Sequence, residues 1–376
     1  MPIQTKQNNI TFFSPSMKRT GSEIVLFNLL TKLLPQFHAK LISKYKGELS
    51  KMLPIQIKSE YLYKSPSINL YCRIRNRIYR QFFLQTKLSK HINSIWYINT
   101  ISLPDIVKYA EHHKIKTILH LHELEQRFAF LNEHEIKLLV NYPFLIIANS
   151  NTSKKVLNSY GRKKNIEICY PAIDTKSIIK NKQVYYDYRK KLNIASNSFL
   201  WVMCGTLDEN KNPFLFIEIA AEVCKSQPNT LFMWIGSTPE MAIMESCQKK
   251  THELGLTNKI IWQTNDSTNY YNYFNCADGF VLTSKKESFS LVTIEALILE
   301  LPIVAQNCGG VKEILGNDIG RIVEEINNPK KMAEEIIKFM LGDNIIDIEK
   351  GKLRAYEFDI VKGAEKWNNI LINYLQ

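Results

Sequence analysis

Along most of its 376 residues the chain alternates short apolar runs with amphipathic stretches of helical period. In the first half, Asn9–Phe13, Ala39–Ser43, Ser94–Ile98, Thr117–His122, Leu145–Ala148 and Glu167–Tyr170 read as strands. Ser22–Leu34, Leu103–His113 and Thr152–Tyr160 read as helices, with Ser22 as an N-cap. Strands separated by helices must cross over to reach their neighbours, which builds a parallel sheet covered by helices. A Lys/Tyr-rich stretch from Asp174 to Asn197 then reads as a linker with one short helix. The alternation restarts at Ser198–Cys204 and continues through Thr230–Ile235, Ile260–Gln263, Gly279–Leu282, Pro302–Ala305 and Gly320–Val323. The pattern predicts an α/β chain of two Rossmann-like, doubly wound domains, residues 1–175 and 176–357. Ligands of such sheets bind beyond the carboxyl ends of the strands, so the expected site is a cleft where the two domains face each other.

Composition narrows the class. With 45% apolar residues, disorder is excluded. The apolar stretch from Ile24 to Leu34 is broken by Asn28, Thr31 and Lys32, so no run approaches the roughly 18 residues of a membrane span. The opening MPIQTKQNN has no signal-peptide core. Seven cysteines without a C-x-x-C pair argue against a disulfide framework or structural zinc, and a cytoplasmic location is expected. The net charge of +13 is unevenly spread: the chain through Asp174 carries 26 basic and 11 acidic residues, and the remainder carries 23 and 25. The basicity therefore belongs to the first half. It concentrates between Tyr61 and His91, where Arg73, Arg75, Arg77, Arg80, Lys87 and Lys90 alternate with Tyr61, Tyr63, Tyr71, Tyr79, Phe82 and Phe83. A basic, aromatic segment suits an anionic membrane surface and predicts peripheral contact with it. No RNP motif, zinc finger or helix-turn-helix accompanies it, so nucleic acid is not an expected partner.

The densest cluster of chemistry-bearing residues runs from Ser284 to Leu297 and contains Glu287 and Glu295. A strand ends near Leu282, a polar loop holds Glu287, and a helix opens after Ser290, a suitable N-cap. Glu295 then lies on the helix. Backbone N–H groups around Ser288, Phe289, Ser290, Leu291 and Val292, at the positive end of the helix dipole, suit a diphosphate. The segments Leu301-Pro302-Ile303-Val304-Ala305 and Asn307-Cys308-Gly309-Gly310 follow, with Glu313 beyond.

In this order the chain resembles a family 4 retaining glycosyltransferase of the GT-B fold, which carries E-x7-E, a Pro-containing strand and a Gly-Gly…Glu segment. The resemblance implies that Glu287 bonds a hydroxyl of a donor sugar and that Glu295 holds the ribose hydroxyls of its nucleotide. It also implies that the last helix, about 358–376, packs back on the first domain. Cys204-Gly205-Thr206 to Lys211 resembles the family segment in which a glycine ends a strand and an Arg and a Lys neutralise the leaving diphosphate. Lys211 matches the lysine, while Thr206 and Asn210 stand where arginines are common. His122 lies at the end of Thr117–His122, where the family often has a histidine facing the sugar, with His120 on the same face. Gly21, in the loop Met17–Glu23, resembles the family's glycine loop and would let backbone approach a phosphate or acceptor.

The resemblance thus implies a metal-independent, cofactor-free, retaining transferase. It would move a hexose-type sugar from a nucleotide diphosphate, UDP favoured over GDP, to a glycan or lipid-linked saccharide in surface polysaccharide or glycoconjugate synthesis. Glu287, His122 and Lys211 are the expected catalytic residues. Glu295, Ser288, Phe289, Ser290, Leu291, Gly205, Thr206 and Gly21 are the expected donor-binding ones, and no residue is assigned to a metal. The alternatives are a non-catalytic GT-B partner subunit and a sugar-nucleotide epimerase on the same fold.

Overall fold

The computed structural model describes residues 8–63, 84–237, 241–264, 269–316, 318–343 and 346–375. It divides into two compact units, Met1–Ile173 with Ile360–Gln376, and Asp174–Asp359. The centre of the basic, aromatic segment, residues 64–83, lies outside the described residues.

Among the described residues, the first unit is built on seven strands: β1 (Asn8–Ser14), β2 (Phe37–Tyr45), β3 (Lys58–Tyr63), β4 (Ile95–Asn99), β5 (Thr117–Leu121), β6 (Leu145–Ala148) and β7 (Ile166–Ile168). They pair in parallel in the order β3-β2-β1-β4-β5-β6-β7. Parallel strands covered on both faces are apolar without alternation. Leu145, Ile146, Ile147 and Ala148 are all fully buried. The helix Ile360–Leu375 closes this unit from the far end of the chain: Trp367 donates its indole N–H to the Tyr97 hydroxyl at 3.0 Å, and the Asn368 amide donates to the Lys32 carbonyl at 3.0 Å.

The second unit has, among the described residues, six strands: β8 (Phe199–Cys204), β9 (Thr230–Gly236), β10 (Ile260–Thr264), β11 (Gly279–Leu282), β12 (Ile303–Gln306) and β13 (Arg321–Val323). Their order is β10-β9-β8-β11-β12-β13, again parallel. The chain builds outward from β8 in one direction, then returns to its other side with β11. The loops after β8 and β11 thus flank a topological switch point, where helices leave opposite faces of the sheet and open a crevice. No helix among the described residues is long and apolar enough to cross a membrane.

Three local expectations change. Strand β3 has no apolar run to announce it, because it is an edge strand whose first four residues are exposed. The stretch read as a linker is an integral part of the second unit. Its helix Lys182–Lys191 is anchored by the buried Arg189, whose guanidinium donates to Asp278 at 2.8 Å and to the carbonyls of Cys276 and Ala195. The first long helix is Gly21–Leu30, so its N-cap is Thr20, not Ser22.

Candidate active site

At the switch point of the second unit, Lys211 and Glu287 meet: the ammonium lies 2.5 Å from the carboxylate. Their side chains are only 22% and 12% exposed, so the pair is shielded from the solvent that weakens surface pairs. Burial alone would lower the Lys211 pKa, but the charges of Glu287 and Asp208 outweigh it and the net shift is upward. Lys211 therefore stays cationic. Its aliphatic stem runs against Gly205, where a β-carbon would sit 3.2 Å from Cδ and Cε. Asn212, in the left-handed conformation that Asn tolerates, caps the helix Pro213–Ser226 and ends the loop.

Glu287 is held as firmly by its backbone. Its N–H donates to the Cys308 carbonyl at 2.7 Å, and its carbonyl accepts from Gly310 N–H at 2.8 Å. Gly310 is required there because a β-carbon would come within 2.1 Å of the Ser288 carbonyl oxygen. Gln306 donates to the carbonyls of Thr283 and Ser284 at 2.6 and 2.8 Å, tying the loop to β12. Asn210 clasps the same loop: its amide donates to the Lys286 carbonyl, and its own carbonyl accepts from Lys285 N–H. Where the family commonly has an arginine, position 210 thus joins two loops.

Ser288, Phe289, Ser290 and Leu291 lead into the helix Leu291–Ile298. Ser290 occupies the N-cap position without a side-chain cap bond, because its buried hydroxyl accepts from Thr293 Oγ1 at 2.8 Å. Phe289 packs its ring 5.3 Å from Phe358. The Phe289 and Ser290 side chains thus serve the protein interior, so any anion-binding role of these two residues falls to their backbone. Thr206 is half-buried directly after Gly205.

Glu295 lies in the middle of that helix. Tyr270 and Tyr271 donate their hydroxyls to its two carboxylate oxygens, at 2.7 Å to Oε2 and 2.9 Å to Oε1. Burial raises the Glu295 pKa from 4.5 to about 7, against the opposing pull of the two phenols. Sequence alone does not reveal this clamp, since nothing in a Tyr-Tyr pair more than twenty positions upstream marks it as facing a glutamate.

In the first unit, His122 directly follows β5. Its Nε2 is 2.8 Å from Asn99 Oδ1, and the Asn99 amide donates to the Ser22 carbonyl at 3.1 Å. Asn99 Oδ1 is therefore an acceptor, Nε2 carries the proton, and Nδ1 keeps its lone pair. Burial lowers the His122 pKa to about 3, so the ring is neutral at physiological pH. His120 is fully buried and structural, its Nδ1 2.8 Å from the Tyr97 hydroxyl. Gly21 has open space around the position of a β-carbon; the glycine this loop region requires is Gly47, where a β-carbon would lie 2.0 Å from the Met17 carbonyl carbon.

The architecture is that of the GT-B proteins. Over 96% of this chain and 99% of the other, it superposes on Anabaena HepE, crystallised with UDP and glucose, with a TM-score of 0.82 at 18% identity. Residues 185–354 match the family model for glycosyl transferases group 1. The group 1 match thus falls within the second unit, and the fold of the whole chain is that of the GT-B proteins. It is 26% identical to an uncharacterized glycosyltransferase of Methanocaldococcus jannaschii over 62% of this chain and 65% of that one. It is 25% identical to the UDP-Gal:alpha-D-GlcNAc-diphosphoundecaprenol alpha-1,3-galactosyltransferase of Escherichia coli over 49% of this chain and 48% of that one. The match to the GalNAc-alpha-(1->4)-GalNAc-alpha-(1->3)-diNAcBac-PP-undecaprenol alpha-1,4-N-acetyl-D-galactosaminyltransferase of Campylobacter jejuni, 21% identical, covers 96% of this chain and 98% of that one. The first two matches thus span about half to two thirds of those relatives' lengths.

Proposed function

We propose that the protein is a retaining, metal-independent glycosyltransferase that moves a hexose-type sugar from a UDP-sugar to a lipid-linked saccharide or growing glycan. The observation that carries this reading is the shielded Lys211–Glu287 pair at the switch point, with Glu295 on the helix that follows it. Glu287 accepts a hydroxyl of the donor sugar and holds the ring in place. Lys211 and the N-terminal amides of Leu291–Ile298 face the diphosphate and stabilise the charge that develops as it leaves. Glu295 takes the ribose hydroxyls. Gly205 and Thr206, beside Lys211, line the donor.

In this mechanism the acceptor oxygen forms its bond to the anomeric carbon on the face from which the diphosphate departs. The bond from that carbon to the phosphate oxygen breaks, and the departing phosphate takes the acceptor proton. No protein nucleophile is required. UDP and lipid-linked saccharides are favoured because the HepE structure holds UDP and the Escherichia coli and Campylobacter jejuni relatives are named for undecaprenol-linked acceptors. The excess of basic residues through Asp174 supports peripheral contact with an anionic membrane where such acceptors reside.

The test is a screen of UDP- and GDP-sugars against undecaprenyl-diphosphate-linked and soluble saccharides in the presence of chelator. NMR of the product is expected to show the donor's anomeric configuration. An inverted product would refute retention, and activity abolished by chelator would refute metal independence. Glu287→Ala is expected to abolish turnover while largely preserving UDP binding.

A further inference from the structure

We propose that Tyr270 and Tyr271 are positioning residues that turn Glu295 into a reader of vicinal hydroxyls, separating ribose from 2′-deoxyribose nucleotides. The proposal rests on the reading that the second unit binds a nucleoside diphosphate sugar. An ionised carboxylate offers about four lone-pair sites, two on each oxygen. Each oxygen here receives one phenol, Tyr270 on Oε2 and Tyr271 on Oε1, so each retains one acceptor site. Two parallel acceptors on one rigid group match two adjacent hydroxyls. The phenols come from consecutive residues that open the helix Tyr270–Asn275, and their rings lie 5.0 Å apart with an interplanar angle of 64°. They approach the carboxylate from different directions and fix its plane.

The surroundings keep this arrangement intact. Burial and the nearby Glu295 carboxylate push both phenol pKa values well up, so both tyrosines stay protonated donors. The other groups that face the cluster are the Cys204 thiol, at the end of β8, and Asp174 near Tyr271. Burial raises the thiol's pKa as well, so it carries no charge at neutral pH. Glu295, raised to about 7, is the group that changes charge in the working range. Because both phenols favour its anionic form, removing either one raises its pKa further.

The test uses the full chain and calorimetric titration with UDP and with 2′-deoxy-UDP across neutral pH. Wild type is expected to prefer UDP by ~10-fold where Glu295 is ionised, since losing one hydroxyl leaves a charged acceptor unpaired. That preference should shrink as pH falls. Tyr270→Phe and Tyr271→Phe should each reduce it several-fold and move its decline to higher pH, a readout that simple loss of packing would not change. Wild-type preference and pH profile in both variants would overturn the proposal. If a variant does not fold, wild type alone decides, because a UDP preference that does not vary with pH also overturns it. Absence of any binding of UDP, GDP or their deoxy forms to wild type would instead refute the donor-site reading itself.

Discussion

Lys211 and Glu287 are 76 positions apart, and each is legible in sequence only through its local context: a lysine after a strand-ending glycine, and a glutamate before a helix start. Their ion pair sets a clear expectation. Lys211→Met leaves the Glu287 carboxylate shielded and without its counter-charge, and removes a cation from the leaving group. We expect kcat to fall by about 10²-fold or more, measured as UDP release. Glu295 yields a second prediction, in the ligand-free protein. Its folded pKa, about 7, lies above its ordinary value of 4.5, so the folded state binds the proton more tightly than the unfolded state does. Its contribution to stability is fully present below 4.5 and is lost as pH rises through about 7. Thermal melting without nucleotide should show this decline, and Glu295→Gln should flatten it. The tyrosines that hold Glu295, like Asn99 behind His122, could not be read from sequence, because their roles depend on which strand ends the topology makes neighbours.

At the scale of elements, strands with a full apolar run are visible in sequence, and those without one are not. Leu145–Ala148 and Gly279–Leu282 have the predicted bounds, while edge strand β3 escapes detection because water covers most of it. The segment Asp174–Asn197 looks like a linker because its helix is rich in Lys and Tyr, yet Tyr185, Tyr188 and above all the buried Arg189 tie it to the second unit. Arg189→Ala would leave Asp278 without its buried counter-charge, and we expect a loss of roughly 3–5 kcal/mol in urea unfolding. The Glu287 loop has a similar dependence on one residue. Gly310→Ala places a methyl group 2.1 Å from the Ser288 carbonyl oxygen. Overpacking of this kind costs about 1–3 kcal/mol, and the displaced loop should lower turnover more than UDP affinity. Chemical denaturation and a parallel activity assay measure the two effects.

For the whole molecule, the division into units is discontinuous in sequence: Ile360–Gln376 belongs with Met1–Ile173. The segment Asp174–Asp359 holds a complete sheet, Lys211 and both motif glutamates. Expressed alone, it should fold and bind UDP within about tenfold of the full chain; a failure to bind, with folding shown by circular dichroism, would overturn that expectation. By itself the sequence determined the α/β class, the doubling of the sheet and the location of the motif glutamates. These follow from local periodicity and from the chemistry of strand-end loops, which short stretches of chain carry. Only the tertiary structure decided that Arg189 makes a linker into a packed helix, that Asn210 joins two loops and that two tyrosines grip Glu295. Each of these depends on the crossover order of parallel strands, which brings residues distant in sequence to the same edge of a sheet.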